Sequence, residues 1–237
     1  MTVQDDAREQ ELCNLFNLSW DPMHARGGTD AVLDIEIDGH AVHIDFEVKS
    51  TTTDTVSTAR DVGVAHIERW RQKHWVIGFY HVQVGIRARL AYALYLTPTD
   101  MAPWLSDLAA YIAPDAELGA RVPERLTEDD LVAICGDKPS YSELDARRVL
   151  KKQWKREDYH RHFDLPPDSP TTYSRQRMLE ILRLRARYTM RRGATLNNPH
   201  VSKRFLQRFN EERVTDEFAQ ALRHKLRTYL TSLNAPY

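Results

Sequence analysis

Apolar residues recur along this chain with two different periods, and the period changes near residue 98. Over residues 4–18, Leu12, Cys13, Leu15 and Phe16 mark one side of a helix. Residues 31–37 (AVLDIEI) alternate instead, with Val32/Leu33, Ile35 and Ile37 set against Asp34 and Glu36, as in a half-buried strand. Residues 40–49 (HAVHIDFEVK) repeat the pattern: Val42, Ile44, Phe46 and Val48 share one face. His43, Asp45, Glu47 and Lys49 share the other, because strand side chains alternate with period 2. Asp38-Gly39 between these runs is a two-residue hairpin signal. Residues 58–73 predict a helix with Val62, Ala65, Ile67 and Trp70 as its apolar positions. Residues 75–84 (WVIGFYHVQV) and 90–96 are rich in β-branched and aromatic residues and predict central strands.

After Pro98 the period is helical. The pattern predicts helices over 103–112, 127–134, 141–161, 170–192 and 215–233, with a shorter one near 200–210. Thr127, followed by Asp130, and Thr215 are N-cap candidates. Pro170 fits a first helical turn and Gly193 a C-terminal stop. The expected fold is α/β: a mixed sheet flanked by helices over residues 1–115, then a mainly helical part over 116–237. The two parts are lobes of one domain or separate domains, with a soft boundary near Pro114–Pro123.

Composition narrows the class. With 237 residues and 42% of them hydrophobic, the chain can bury a core, which excludes wholesale disorder. No run approaches 18 consecutive apolar residues, so no membrane span is expected. The opening MTVQDDAREQE lacks a signal-peptide pattern, and Cys13 and Cys135 have no metal-site or disulfide spacing. Those features point to a reducing cytoplasm. Charge is divided unevenly. Residues 1–120 hold 9 Lys+Arg against 18 Asp+Glu, whereas residues 145–208 hold 17 against 6. An acidic half beside a basic one suggests a cation site and a polyanionic partner.

The hairpin carries the chemistry. Asp30 stands at the entrance of the first strand, and Glu47 and Lys49 lie two apart on one face of the second. Carboxylates converging from adjacent strands suit a hard divalent cation such as Mg²⁺, which favours oxygen ligands. A lysine on the same face can stabilise charge building on a phosphate. Acid-x-Lys alone is weak, since about one match is expected by chance in this composition. The context adds weight: the match ends a strand, follows a hairpin signal, and is itself followed by a helix and another strand.

Gly27-Gly28-Thr29-Asp30 and Asp45-Phe46-Glu47-Val48-Lys49-Ser50, in that order of elements, resemble the PD-(D/E)xK nuclease superfamily, and in particular the type II restriction endonucleases. The resemblance covers roughly residues 5–97. It implies a restriction-endonuclease-like core, with Mg²⁺ (magnesium) held by Asp30, Glu47 and the Val48 carbonyl, and with Lys49 catalytic. It implies site-specific hydrolysis of double-stranded DNA to 5′-phosphate and 3′-hydroxyl ends by a homodimer. Thr29 departs from the proline of the family motif, at a position that varies widely. Two other readings use the same residues: a repair or junction-resolving nuclease, and a non-catalytic DNA-binding protein with a nuclease-like core.

Other residues offer the same chemistry. Asp45 shares the face of Glu47 and is either a further ligand or a solvated acid; Asp34 and Glu36 read as polar-face residues. Glu11 is a helix carboxylate that reads as surface charge or as a group near the metal. His40 and His43 fall on opposite strand faces, which disfavours a two-histidine site, and Ser19 and Ser50 show no nucleophile elbow. In the basic half, seven arginines lie between residues 175 and 192. Arg191, Arg192, Asn197, Asn198, Lys203 and Arg204 are the candidates for gripping phosphates or reading bases, across a helix–turn–helix-like span.

Overall fold

A computed structural model describes residues 3–20, 28–37, 39–59, 62–83, 86–193 and 198–233. The chain divides into two compact units, residues 1–111 with 197–237, and residues 112–196. Unit 1 begins with α1 (Val3–Phe16), β1 (Ser19–Trp20), β2 (Ala31–Ile37), β3 (His40–Thr51) and β4 (Val56–Ser57). It continues with α2 (Val64–Trp70), β5 (His74–Gln83), β6 (Ile86–Leu96) and the first part of α3 (Pro98–Arg121). Five strands form a mixed sheet in the order β1-β2-β3-β5-β6. β2 and β3 are antiparallel, with Ala31 opposite Phe46 and Ile37 opposite His40. β3 and β5 are parallel, with Glu47 beside Trp75 and Lys49 beside Ile77, and α2 lies in the crossover between them.

The alternation that predicts the strands also sorts the layers. Leu12, Cys13 and Phe16 of α1 are buried with Leu33, Ile44, Phe46, Val48 and Val76 of the sheet and with Leu222 and Leu226 of a C-terminal helix. Trp75, one residue out of phase with Val76, packs at ring-centroid distances of 5.3 Å from Trp70 and 5.8 Å from Trp104 of α3. Leu15 departs from its expected place: it is exposed, because the buried stripe runs through residues 12, 13 and 16. At Gly78 of β5, α1 comes so close that a Cβ would lie 2.7 Å from both Leu12 methyls. Leu12 is fully buried and has nowhere to go. Gly78→Val is therefore expected to destabilise the fold by about 1–3 kcal/mol, measured by urea denaturation.

Residues 198–233 extend unit 1 with β9 (His200–Val201), one helical turn (Lys203–Leu206), a 3₁₀ segment (Gln207–Glu212) and a helix over Phe218–Leu233. β9 pairs with β4, Val56 opposite Val201. That long-range pairing explains why the helix expected from residue 58 begins only at Val64, after an extended Gly63. It also means that the expected division at 115/116 differs from the observed one, since residues 198–233 associate with the sheet unit.

Unit 2 contains the rest of α3, α4 (Glu128–Cys135), β7 (Ser140–Tyr141), α5 (Glu143–Val149), α6 (Arg156–Arg161), β8 (Tyr173–Ser174) and α7 (Arg175–Gly193). Its core contains Leu131, Tyr141, Ala146, Leu150, Tyr159, Tyr173, Met178 and Ile181. α3 continues through Pro114, so the proline expected to mark a boundary lies inside a helix. Thr127 and Asp130 form the expected capping box of α4. The helix expected over 141–161 is broken in two, because Lys151 and Lys152 take left-handed backbone angles (φ 53° and 59°). Pro170 is not in α7: pairing of β8 with β7 keeps residues 173–174 extended, and Ser174 Oγ accepts from the Arg177 N–H (3.1 Å) to cap the helix. Among the described residues no helix is long and apolar enough to cross a membrane.

Candidate active site

Asp30, Glu47 and Lys49 come together where β3 outruns β2. The β2–β3 ladder closes at Ala31–Phe46, and beyond it β3 is paired only with β5. The Val48 N–H on the open side has lost its ladder partner. Asp30 supplies a substitute, its Oδ2 accepting from Val48 N at 2.9 Å. Lys49 Nζ donates to the same oxygen at 2.6 Å and to the Val48 carbonyl at 2.8 Å, and it lies 2.8 Å from Glu47 Oε1. Three oxygens from three residues thus converge on one cationic nitrogen.

A second lysine completes the cluster. Lys73, between α2 and β5, donates to Glu47 Oε2 (2.9 Å) and to the Gly28 carbonyl (2.7 Å). Glu47 and Lys73 are only 4% and 5% exposed. Burial pushes the Glu47 carboxyl up, but the charges of Lys49 and Lys73 outweigh it and hold the group down at about 2. Burial works against the Lys49 charge, and Glu47, Asp30 and Glu9 outweigh that, holding it above the usual lysine range. Burial pushes Glu9 of α1 up to about 7; Lys49 opposes this, and Asp30 and Glu47 add to it.

Glu9, not Glu11, is therefore the α1 carboxylate in the field of the site. Glu9 sits one turn before the buried Cys13, so it faces inward, whereas Glu11 accepts from Tyr80 Oη at 3.4 Å and lies 3.9 Å from Arg87. The i,i+4 relation to Cys13 was the available signal. Lys73 had none: its partners lie 26 and 45 residues away. Asp45 and Asp34 instead engage His43, at 3.7 and 2.6 Å, and Glu36 and His40 are exposed. Gly27 and Asp38 lie outside the described residues.

The donor set fits a hard divalent cation. Asp30, Glu47 and the Val48 carbonyl offer three oxygens focused within 2.6–2.8 Å of a single positive centre. Two carboxylates are what a Mg²⁺ site commonly takes from protein, the remaining positions going to water and phosphate. Among the described residues no group of three or more His, Cys, Asp or Glu side chains forms a metal cage.

The basic candidates separate. In α7, Arg175 pairs with Asp137 (2.6 Å) and Glu128 (3.2 Å), Arg177 with Glu180 (2.5 Å), and Arg187 with Glu124. Arg183 donates to the Leu126 carbonyl at 2.7 Å. Three of the seven arginines (Arg175, Arg183 and Arg187) thus tie α7 to residues 124–137, and Arg177 pairs within the helix. Asn198 bonds Ser57 (3.0 Å) and Lys203 pairs with Asp54 (2.8 Å), bracing the β4 segment. Arg191 and Arg204 are exposed; Asn197 and the Arg192 side chain lie outside the described residues. The turn Lys203–Leu206 has four residues, too short for a recognition helix. No protein-family model and no curated protein matches this sequence.

Proposed function

We propose that the chain is a Mg²⁺-dependent endodeoxyribonuclease with a restriction-endonuclease-like core, acting on specific sites in double-stranded DNA. The observation that carries the reading is the convergence of Asp30, Glu47 and the Val48 carbonyl on the Lys49 ammonium, at the open end of a strand paired in parallel with its βαβ partner. Asp30, Glu47 and the Val48 carbonyl would hold the ion. When bound, such an ion supplies a more acidic water and screens phosphodiester charge. Lys49 is poised to meet the charge that builds on the phosphate oxygens. Water oxygen bonds to phosphorus as the P–O3′ bond breaks, leaving 5′-phosphate and 3′-hydroxyl ends. Lys73 keeps Glu47 ionised and in one orientation throughout. Cleavage of palindromic sites calls for a twofold dimer, which the reading includes.

The test is digestion of unmethylated phage DNA with and without Mg²⁺. Discrete fragments that appear only with Mg²⁺ are expected. A smear would replace site specificity with general nuclease activity, and intact DNA would remove the enzyme reading.

A further inference from the structure

We infer that the turn joining α5 to α6 in unit 2 is a phosphate-backbone contact surface for duplex DNA. The inference deepens the nuclease reading and rests on it for the identity of the polyanion. Arg148, Lys151, Lys152, Lys155 and Arg156 fall within nine residues, and all five are exposed. No acid interrupts residues 146–156. None of the five is in an ion pair among the described residues, in contrast to Arg175, Arg177 and Arg187 of α7.

The local fold accounts for Arg148 but not for the four cations that follow it. α5 ends in a Schellman motif: the Lys152 N–H donates to the Arg147 carbonyl (3.0 Å) and the Lys151 N–H to the Arg148 carbonyl (3.4 Å). Lys151 occupies the left-handed position after the cap, where glycine is the residue without a steric penalty, and Lys152 is left-handed as well. Stability alone would therefore select glycine or asparagine. The carbonyl end of α5 rewards nearby positive charge, which accounts for Arg147 and Arg148. Lys155 and Arg156 stand at the opposite kind of end, the N-terminus of α6, where positive charge is disfavoured and only Glu157 and Asp158 offset it. The turn itself is firmly held, with Leu150 and Tyr159 buried on either side. A rigid, unpaired array of ammonium and guanidinium groups is suited to phosphates, whose bound counterions it would release.

The left-handed geometry supplies a variant that removes charge without endangering the fold. Lys151→Gly/Lys152→Gly suits both backbone positions, so its melting temperature is expected at or above that of the wild type. Affinity of the full chain for a 30-base-pair duplex is measured in EDTA across a salt series. Removal of two phosphate contacts flattens the slope of log affinity against log salt by about two units, at about 0.9 per contact. An unchanged slope in a variant that still cleaves with Mg²⁺ overturns the inference and leaves the nuclease reading standing. A wild type that neither binds nor cleaves duplex overturns both. Binding to phosphatidylserine vesicles with none to the duplex assigns the turn to a membrane surface and also overturns it.

Discussion

Asp30→Asn is expected to reduce DNA cleavage to background while leaving DNA affinity in EDTA within a few-fold of the wild type. The asparagine keeps an oxygen to accept from Val48 N–H, so the end of the hairpin survives, but it removes one of the two carboxylate charges that would hold Mg²⁺. Glu47→Gln is expected to act in the same direction with a larger structural cost, because two lysines then face a neutral amide in a buried position. Lys49→Met differs in kind. It removes the charge that would meet the developing phosphate charge, a loss on the order of 10²- to 10³-fold in rate. It also removes the ammonium that Asp30 and Glu47 share, which a bound cation would have to displace. Titration calorimetry with Mg²⁺ separates the cases: weakened binding for Asp30→Asn and Glu47→Gln, retained or tighter binding for Lys49→Met. Full cleavage by any of the three variants would end the site assignment.

The site's two halves differed in how far the sequence disclosed them. Asp30, Glu47 and Lys49 were legible because a hairpin converts spacing into geometry. Alternation fixes which side chains share a face, and the register that sets Ala31 opposite Phe46 brings Asp30 to the level of Glu47, from where its carboxylate reaches the Val48 N–H. Lys73 reaches the same cluster through the crossover, which no local period encodes, and Glu9 comes into its field through the packing of α1, signalled only by its i,i+4 relation to Cys13. The same distinction runs through the fold. β2 had the predicted limits, and β3 and β5 differed from theirs by one or two residues, since their alternation is their own. β4, β7, β8 and β9 are two-residue strands that exist only through partners up to 145 positions away, and they moved the start of α2 and of α7. The break at Lys151-Lys152 was hidden for another reason: the chain places lysine where glycine would announce a helix end. In the basic half, the arginine count suggested a binding face, but the carboxylates that pair with Arg175, Arg177 and Arg187 come from residues 124–137 and from Glu180, and only the fold brings the former close.

Lys73→Met should separate the stability of this site from its affinity for a cation. In the wild type Glu47 is ionised inside the protein only because Lys49 and Lys73 each take one of its oxygens. Removing one partner of a buried pair costs about 3–5 kcal/mol, because the remaining charge loses compensation it cannot recover from water. Lys49 stays, so the lower end of that range is expected, and the Gly28 carbonyl loses its donor at the same time. The pH dependence follows from the sign of the Glu47 shift. Its folded pKa, about 2, lies below the ordinary 4.5, so the pair contributes fully above pH 4.5 and is lost as pH falls toward 2. In Lys73→Met the folded value rises toward the ordinary one, so acid unfolding loses part of that slope. Mg²⁺ binding should respond in the opposite sense. Lys73 contributes a positive charge 2.9 Å from Glu47, and its removal makes the Asp30–Glu47 pair a better trap for a cation. Magnesium at tenfold its dissociation constant returns about 1.4 kcal/mol of stability to whichever form binds it. The melting temperature of Lys73→Met is therefore expected to start well below the wild type in EDTA and to rise more steeply with added Mg²⁺. Parallel curves for the two proteins would show that Lys73 braces the Gly28 loop without influencing the cation, and equal melting temperatures in EDTA would show that Glu47 does not depend on it at all.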